Sequence, residues 1–226
     1  MQASKPVLGY WKIRGLGANL RFQLAYCGVE YEMVEYEQGE GPEFSRQPWL
    51  DNKFNLGLDF PNLPYFKDGD FSMTETMPIH QYIAEKWKPE LIGKDAQTKA
   101  EVNQLANVIT NFKMKITMPC YMSGDVEEIK TAITSLLPAI VDFKLNKGSK
   151  FISGDQVSWL DFYFVEVVCA AEMMHPAMMT EFPNLVAYKA AMFELPGLKE
   201  YISSPDCIEH KYLFNNKVAK INNKLA

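Results

Sequence analysis

The feature that most constrains this 226-residue chain is a change of rhythm near residues 88–95. Before it, the pattern changes about every ten residues; after it, only helical spacing remains. "VLGYW" (Val7 to Trp11) reads as a buried strand, because β-branched and aromatic residues suit a covered pleated surface. "ANLRFQLAYCG" follows as a helix, with Leu20, Leu24 and Cys27 at helical spacing and Gly28 as its stop. "YEMVEY" reads as a second strand, and residues 39–60 as an irregular segment too long for a plain connector. "LPYF" and "FSM" flank Lys67-Asp68-Gly69-Asp70 as a hairpin with a D-G turn. "ETMPIHQYIAEKW" reads as a helix with Thr76 as cap and Pro78 in its first turn. The order β-α-β, then β-β-α, predicts a small sheet domain with helices packed on it.

Past the boundary, Val102, Leu105, Ile109, Phe112 and Ile116 form one stripe of a long amphipathic helix. Ile129, Ile133, Leu136, Ile140 and Phe143 repeat the pattern. "VSWLDFYFVEVVCAAEMM" is apolar nearly all round and belongs at the centre of a bundle. Its start carries Ser158 and Asp161 as reciprocal caps, with Val157 packing on Phe162 as a staple. Shorter helices are expected at 184–193 and 197–203. The predicted class is α/β plus all-α, with the units at residues 1–88 and 89–226.

Composition removes several functions. The net charge of -5 disfavours a nucleic-acid partner, which needs a basic footprint. The acidic run from Glu30 to Glu43 reads as a solvated surface. The tail cations Lys211, Lys217, Lys220 and Lys224 are too sparse for a polybasic membrane anchor. The N-terminus lacks the apolar core of a signal peptide, and "FYFVEVVCAA" is short and carries Glu166, so no membrane span is expected. Cys27, Cys120, Cys169 and Cys207 form no C-x-x-C pair and read as free thiols in a reducing compartment. His80, His175 and His210 show no metal-ligand spacing. A cytoplasmic protein without a metal is the expectation. "GLG" (Gly15 to Gly17) is half of a dinucleotide fingerprint, but Leu20 stands where its third glycine belongs. There is no G-x-S-x-G for a serine hydrolase.

The layout, taken with several long motifs, resembles the cytosolic glutathione transferases. "LGYWKIRGL" is similar to the N-terminal signature of their mu class. "QPWLDNKFNLGLDFPNLPYF" (Gln47 to Phe66) is similar to a mu segment nearly residue for residue, and the stretch before it resembles the mu loop. "PCYM", "VSWLDF" and "FPNL" extend the likeness through the second unit until it fades over the last twenty residues. The resemblance implies a thioredoxin-like, glutathione-binding domain over 1–88. It also implies an all-helical bundle over 89–226 that carries much of a site for hydrophobic electrophiles, in a homodimer.

It implies roles for single residues as well. Tyr10 would be the catalytic residue, its hydroxyl holding the glutathione sulfur as thiolate. A free thiol of pKa about 8.5 must drop roughly two units, or ~2.7 kcal/mol. A phenol hydrogen bond to a thiolate supplies ~1.5–3 kcal/mol, and a helix N-terminus about 0.3–1 kcal/mol more. Trp11 and Leu16 would line the glutathione site. Arg46, Trp49 and Lys53 would hold the glycyl carboxylate, and Asn62 and the Leu63 backbone would pair with the peptide, with Pro64 cis. Glu75 would accept from the γ-glutamyl amine, and Thr76 would bind the γ-glutamyl carboxylate at a helix N-terminus. Ile13, Leu16, Lys113, Thr117 and Tyr121 would contact the electrophile, and Phe60 would insert into the partner subunit. Glu75, Asn111 and Gln81 depart from the mu pattern, which has Gln, Asp and often Arg there. A binding or crystallin-like structural protein on the same fold is the alternative. Thiol-disulfide exchange is weaker, with no cysteine at the strand–helix junction.

Overall fold

The computed structural model describes residues 4–210, 212–214 and 217–221. Lys211 and Lys224 of the basic tail lie outside them. The sheet unit runs β1 (Val7–Trp11), α1 (Ala18–Tyr26), β2 (Glu32–Tyr36), α2 (Gln47–Lys53), β3 (Tyr65–Asp68), β4 (Phe71–Thr74) and α3 (Thr76–Trp87). Its strand order is β2-β1-β3-β4. β1 and β2 are parallel, as their α1 crossover requires, and β3 is antiparallel to both β1 and β4. This is a thioredoxin-like sheet. Leu8, Phe66, Leu20, Leu24, Ile79 and Ile83 are buried between the sheet and the helices α1 and α3. The hairpin turns through Gly69 and Asp70 alone, because Lys67 and Asp68 pair in register with Ser72 and Phe71.

The helical unit comprises α4 (Ala96–Tyr121), α5 (Val126–Phe143), α6 (Trp159–Met174), α7 (Met178–Glu181), α8 (Pro183–Phe193), α9 (Leu198–Ile202) and α10 (Pro205–Glu209). The stripe expected on α4 is buried throughout. All of α6 is buried except Glu172 and Met173. Its cap is the expected one: Ser158 Oγ accepts from the Leu160 N–H at 3.2 Å, and the Asp161 carboxylate accepts from the Ser158 N–H at 2.8 Å.

Three expectations need correction. The segment 39–60 is not wholly irregular, since it contains α2, a seven-residue helix too short to show a periodic face. On α5 it is Leu137, fully buried, that faces the core, while Leu136 is 39% exposed. Thr76 is not the cap of α3 but its first residue. The cap position belongs to Glu75, whose φ of 73° no side-chain hydrogen bond accompanies.

Candidate functional site

The chain leaves β1 at Trp11 and turns through residues 12–17 into α1, which carries Tyr10 under the turn. Tyr10 is 6% exposed, and the Leu16 N–H donates to its Oη at 2.9 Å. The close approach depends on Gly15, at φ +41°, where a Cβ would stand 2.5 Å from that oxygen. Burial pushes the Tyr10 hydroxyl well above the ordinary phenol value, and the Leu16 N–H pulls it back only in part. The group is therefore a neutral phenol near pH 7. Leu16 occupies one lone pair and leaves the proton for an acceptor beside it.

Beside this corner lies a cleft of about 330 Å³. Tyr10, Ile13, Leu16, Glu75 and Thr76 line it from the sheet unit. Lys113, Thr117 and Tyr121 line it from α4, and Phe214 from the tail. Every residue expected at the electrophile therefore shares one cavity with Tyr10. The positive φ of Glu75 turns the chain into α3 and leaves the first N–H groups of that helix without a side-chain cap, next to Thr76. A positive φ is uncommon outside glycine and clusters at functional sites.

The remaining expected residues are not among those lining the cavity. Trp49 is buried against Tyr36 and Tyr65, with ring centroids 5.3 and 6.4 Å away, in a cluster that also holds Tyr10, Leu63 and Trp11. Arg46 is exposed at the start of α2. Lys53 is half-buried, its Nζ 5.3 Å above the Phe54 ring. Asn62 is exposed and donates to Glu75 at 3.4 Å. The Leu63–Pro64 peptide is cis. Phe60 is 78% exposed.

Two features escaped the sequence reading. Arg14, on the turn above Tyr10, donates through Nε and Nη2 to both oxygens of Glu166, at 2.9 and 2.5 Å. This fork ties the β1–α1 loop of the sheet unit to the centre of α6, and Glu166 is buried. A carboxylate at the middle of a helix that is apolar nearly all round was its signal. The second is the tail: the Arg14 and Gly15 N–H groups donate to the carbonyls of Tyr212 and Leu213 at 2.8 and 2.9 Å, which sets Phe214 edge-on to Tyr121. No motif marks these residues. Lys113 is 9% exposed and donates to the Gly15 carbonyl at 3.0 Å. Burial is the main cause that lowers its ammonium to about 8, against a rise from Glu166. Among the described residues no group of three His, Cys, Asp or Glu could hold a metal ion, and no helix is long and apolar enough to cross a membrane.

A thioredoxin-like sheet domain with a buried tyrosine at the β1–α1 corner, closed by a helical domain, defines a two-domain class. Family comparison gives the member. The model described as glutathione S-transferase, N-terminal domain, matches residues 6–85, and that of the C-terminal domain matches residues 110–205. The chain is 37% identical to glutathione S-transferase Mu 5 of Rattus norvegicus, over 99% of both chains. It is 34% identical to a glutathione S-transferase of Dermatophagoides pteronyssinus, over 99% of this chain and 100% of that one. Human glutathione S-transferase Mu 3 is also 34% identical, over 98% and 97%. The crystal structure of the glutathione S-transferase Blo t 8 superposes with a TM-score of 0.78 at 28% identity, covering 95% of this chain and 99% of that one. The chain belongs to the glutathione S-transferase family and is a transferase similar to the mu class.

Proposed function

We propose that the protein binds glutathione, holds its sulfur as thiolate at Tyr10 and conjugates it to hydrophobic electrophiles. The observation that carries this reading is the Tyr10 hydroxyl, neutral, buried and fixed by the Leu16 N–H, on the wall of a largely apolar cleft. The phenol donates a charge-assisted hydrogen bond to the sulfur, worth ~1.5–3 kcal/mol. The uncapped start of α3 receives the γ-glutamyl carboxylate at Thr76, and the exposed Glu75 carboxylate receives the amine. Arg46, Trp49 and Lys53 hold the glycyl end, Asn62 and the Leu63 backbone hold the peptide, and Trp11 and Leu16 form the wall. Ile13, Leu16, Lys113, Thr117 and Tyr121 face the electrophile. The sulfur of the bound cosubstrate attacks directly, so no covalent enzyme intermediate is required. The protein acts in the cytoplasm, and the unit boundary falls between residues 88 and 89, just past the end of α3 at Trp87.

Replacing Tyr10 by Phe tests the reading. Conjugation of glutathione to an aryl halide should fall by about 10- to 100-fold in kcat/KM, the loss of one charge-assisted hydrogen bond. Its pH profile should move up by roughly one to two units. A variant as active as the parent with an unmoved profile refutes the tyrosine mechanism. A parent that binds glutathione without turnover returns the binding-protein alternative. Phe60, apolar and 78% exposed, is assigned to a homodimer interface. Phe60→Ala should shift sedimentation toward the monomer at micromolar concentration, and an unchanged dimer removes Phe60 from that role.

A further inference from the structure

We infer that the crevice between α1, β2 and α10 is a second small-molecule site, one that takes zwitterions with an aromatic body, the chemistry of an aromatic amino acid. Its cavity measures about 550 Å³, and none of the residues lining it lines the Tyr10 cleft. The site therefore stands apart from the conjugation reading above. Arg21 and Ala25 of α1, Met33 and Glu35 of β2 and Tyr201 of α9 form its walls. Asp206 and Glu209 of α10 also line it, and both are exposed on its solvent side.

The inner wall holds an unsatisfied cation. Arg21 is 2% exposed, its Nη2 donates to the Ile13 carbonyl at 3.2 Å, and its Nη1 is buried with no partner among the described residues. The guanidinium meets the Tyr201 hydroxyl and acts on Tyr31 and Glu35, all three of which line the cavity, so it faces this space. The carboxylates beside it are engaged elsewhere: Glu35 accepts from His210 Nε2, and Glu30 pairs with Lys5 at 2.9 Å. A buried guanidinium with an unused donor has a cost unless an acceptor reaches it. The carboxylate of a ligand is such an acceptor.

The rest of the lining decides what else that ligand carries. Glu30, Glu35, Asp206 and Glu209 stand against the fixed cations Lys5 and Arg21, so the walls hold an excess of negative charge. Among the described residues the Asp206 and Glu209 carboxylates make no ion pair and no hydrogen bond. A simple anion drawn to Arg21 is opposed by this excess, and a simple cation leaves Nη1 unpaired. One molecule with both charges meets both requirements: its carboxylate accepts from Arg21, and its ammonium lies toward Asp206 and Glu209. Val29, Met33 and the rings of Tyr31 and Tyr201 give its body an apolar wall. The event is binding alone, and no bond is made or broken.

Titration calorimetry of the full chain with L-phenylalanine, hydrocinnamate and phenethylamine tests this, because the three share one ring and differ in charge. L-Phenylalanine should bind at least about tenfold more tightly than either single-charge analogue, since each analogue lacks one charge-assisted contact. Saturating S-hexylglutathione, which fills the Tyr10 cleft on the conjugation reading, should leave that affinity unchanged. Asp206→Asn combined with Glu209→Gln alters only exposed side chains. It should weaken L-phenylalanine about tenfold and leave hydrocinnamate bound no more weakly than before. Arg21→Met should bring L-phenylalanine down to the affinity of phenethylamine, and the three-ligand comparison decides the matter even where that variant does not fold. L-Phenylalanine that fails to bind, binds no more tightly than its analogues, or is displaced by S-hexylglutathione overturns the inference. A protein that conjugates no acceptor overturns the conjugation reading and leaves this site standing.

Discussion

At the scale of single residues, the corner around Tyr10 leaves little free space. A Cβ on Gly15 would meet the Tyr10 Oη at 2.5 Å, and one on Gly17 would meet the ring at 2.6 Å. Gly15→Ala must therefore displace the hydroxyl as well as strain a φ of +41°. Conjugation activity should drop on the order of tenfold or more, since displacing a reacting group by about 1 Å costs up to 10²-fold. Gly69→Ala is the control: its φ is +61° with nothing within 4 Å of the added carbon. It carries the strain without the collision, and its activity should match the parent. Equal losses in both variants would mean that backbone strain, not displacement of Tyr10, is responsible. Glycine is legible in a sequence, but the ring it makes room for is not. "GYWKIRGLG" thus announced a turn without revealing that Gly15, Leu16 and Gly17 all close on one phenol.

At the scale of elements, α6 shows why a cap can matter more than its usual ~1 kcal/mol. The Asp161 carboxylate accepts from the N–H groups of Ser158 and Ile152 at 2.8 and 2.9 Å and from the Ser153 hydroxyl at 2.5 Å. Removing it orphans two buried N–H groups, at about 1–3 kcal/mol each. Asp161→Ala should therefore cost several times more than Ser158→Ala in urea unfolding at neutral pH, and comparable costs would refute the accounting. The sequence revealed the cap because Ser-x-x-Asp is local, but the bonds to Ile152 and Ser153 come from a turn outside the motif. The long stripe of α4 was read correctly, whereas α2 was invisible as a helix. The cap of α3 was misplaced by one residue, because the positive φ of Glu75 leaves no mark in the sequence.

At the scale of the whole molecule, the two units meet around His80. Its ring stands 6.0 Å from Trp159 and 6.2 Å from Tyr163 on α6, and its nitrogens face Gln23 and Asn19 on α1. Gln23 donates to the His80 carbonyl at 3.0 Å, so its amide oxygen accepts from Nδ1 and the proton sits there. Nε2 is then an acceptor, and turning the Asn19 amide over gives it a donor while pairing the otherwise orphaned Asn19 Nδ2. Burial lowers His80 from 6.5 to about 3, so the fold requires the neutral ring. The stability this adds is complete above the unfolded value and drains as pH falls from there toward about 3. Asp161, raised by burial to about 6, acts in the opposite sense, since its proton favours the fold on acidification. His80→Gln isolates the first group. Its urea-derived stability should lose roughly 2 kcal/mol less than the parent between about pH 7 and 5, at ~1.4 kcal/mol per unit for one proton. Equal losses would remove His80 from the acid response.

The glycine-packed turn has a consequence for how such a molecule can change over generations. The corner proposed to bind the sulfur and the wall proposed to face the acceptor share one cavity but belong to different stretches of chain with opposite tolerance. Around Gly15 and Gly17 almost any heritable change is a collision. Across the cleft, Met114 is 49% exposed and Thr117 half-buried, so substitutions there meet little resistance. On the proposed reading, new acceptor preferences can therefore be sampled one codon at a time on α4 while the Tyr10 corner stays intact.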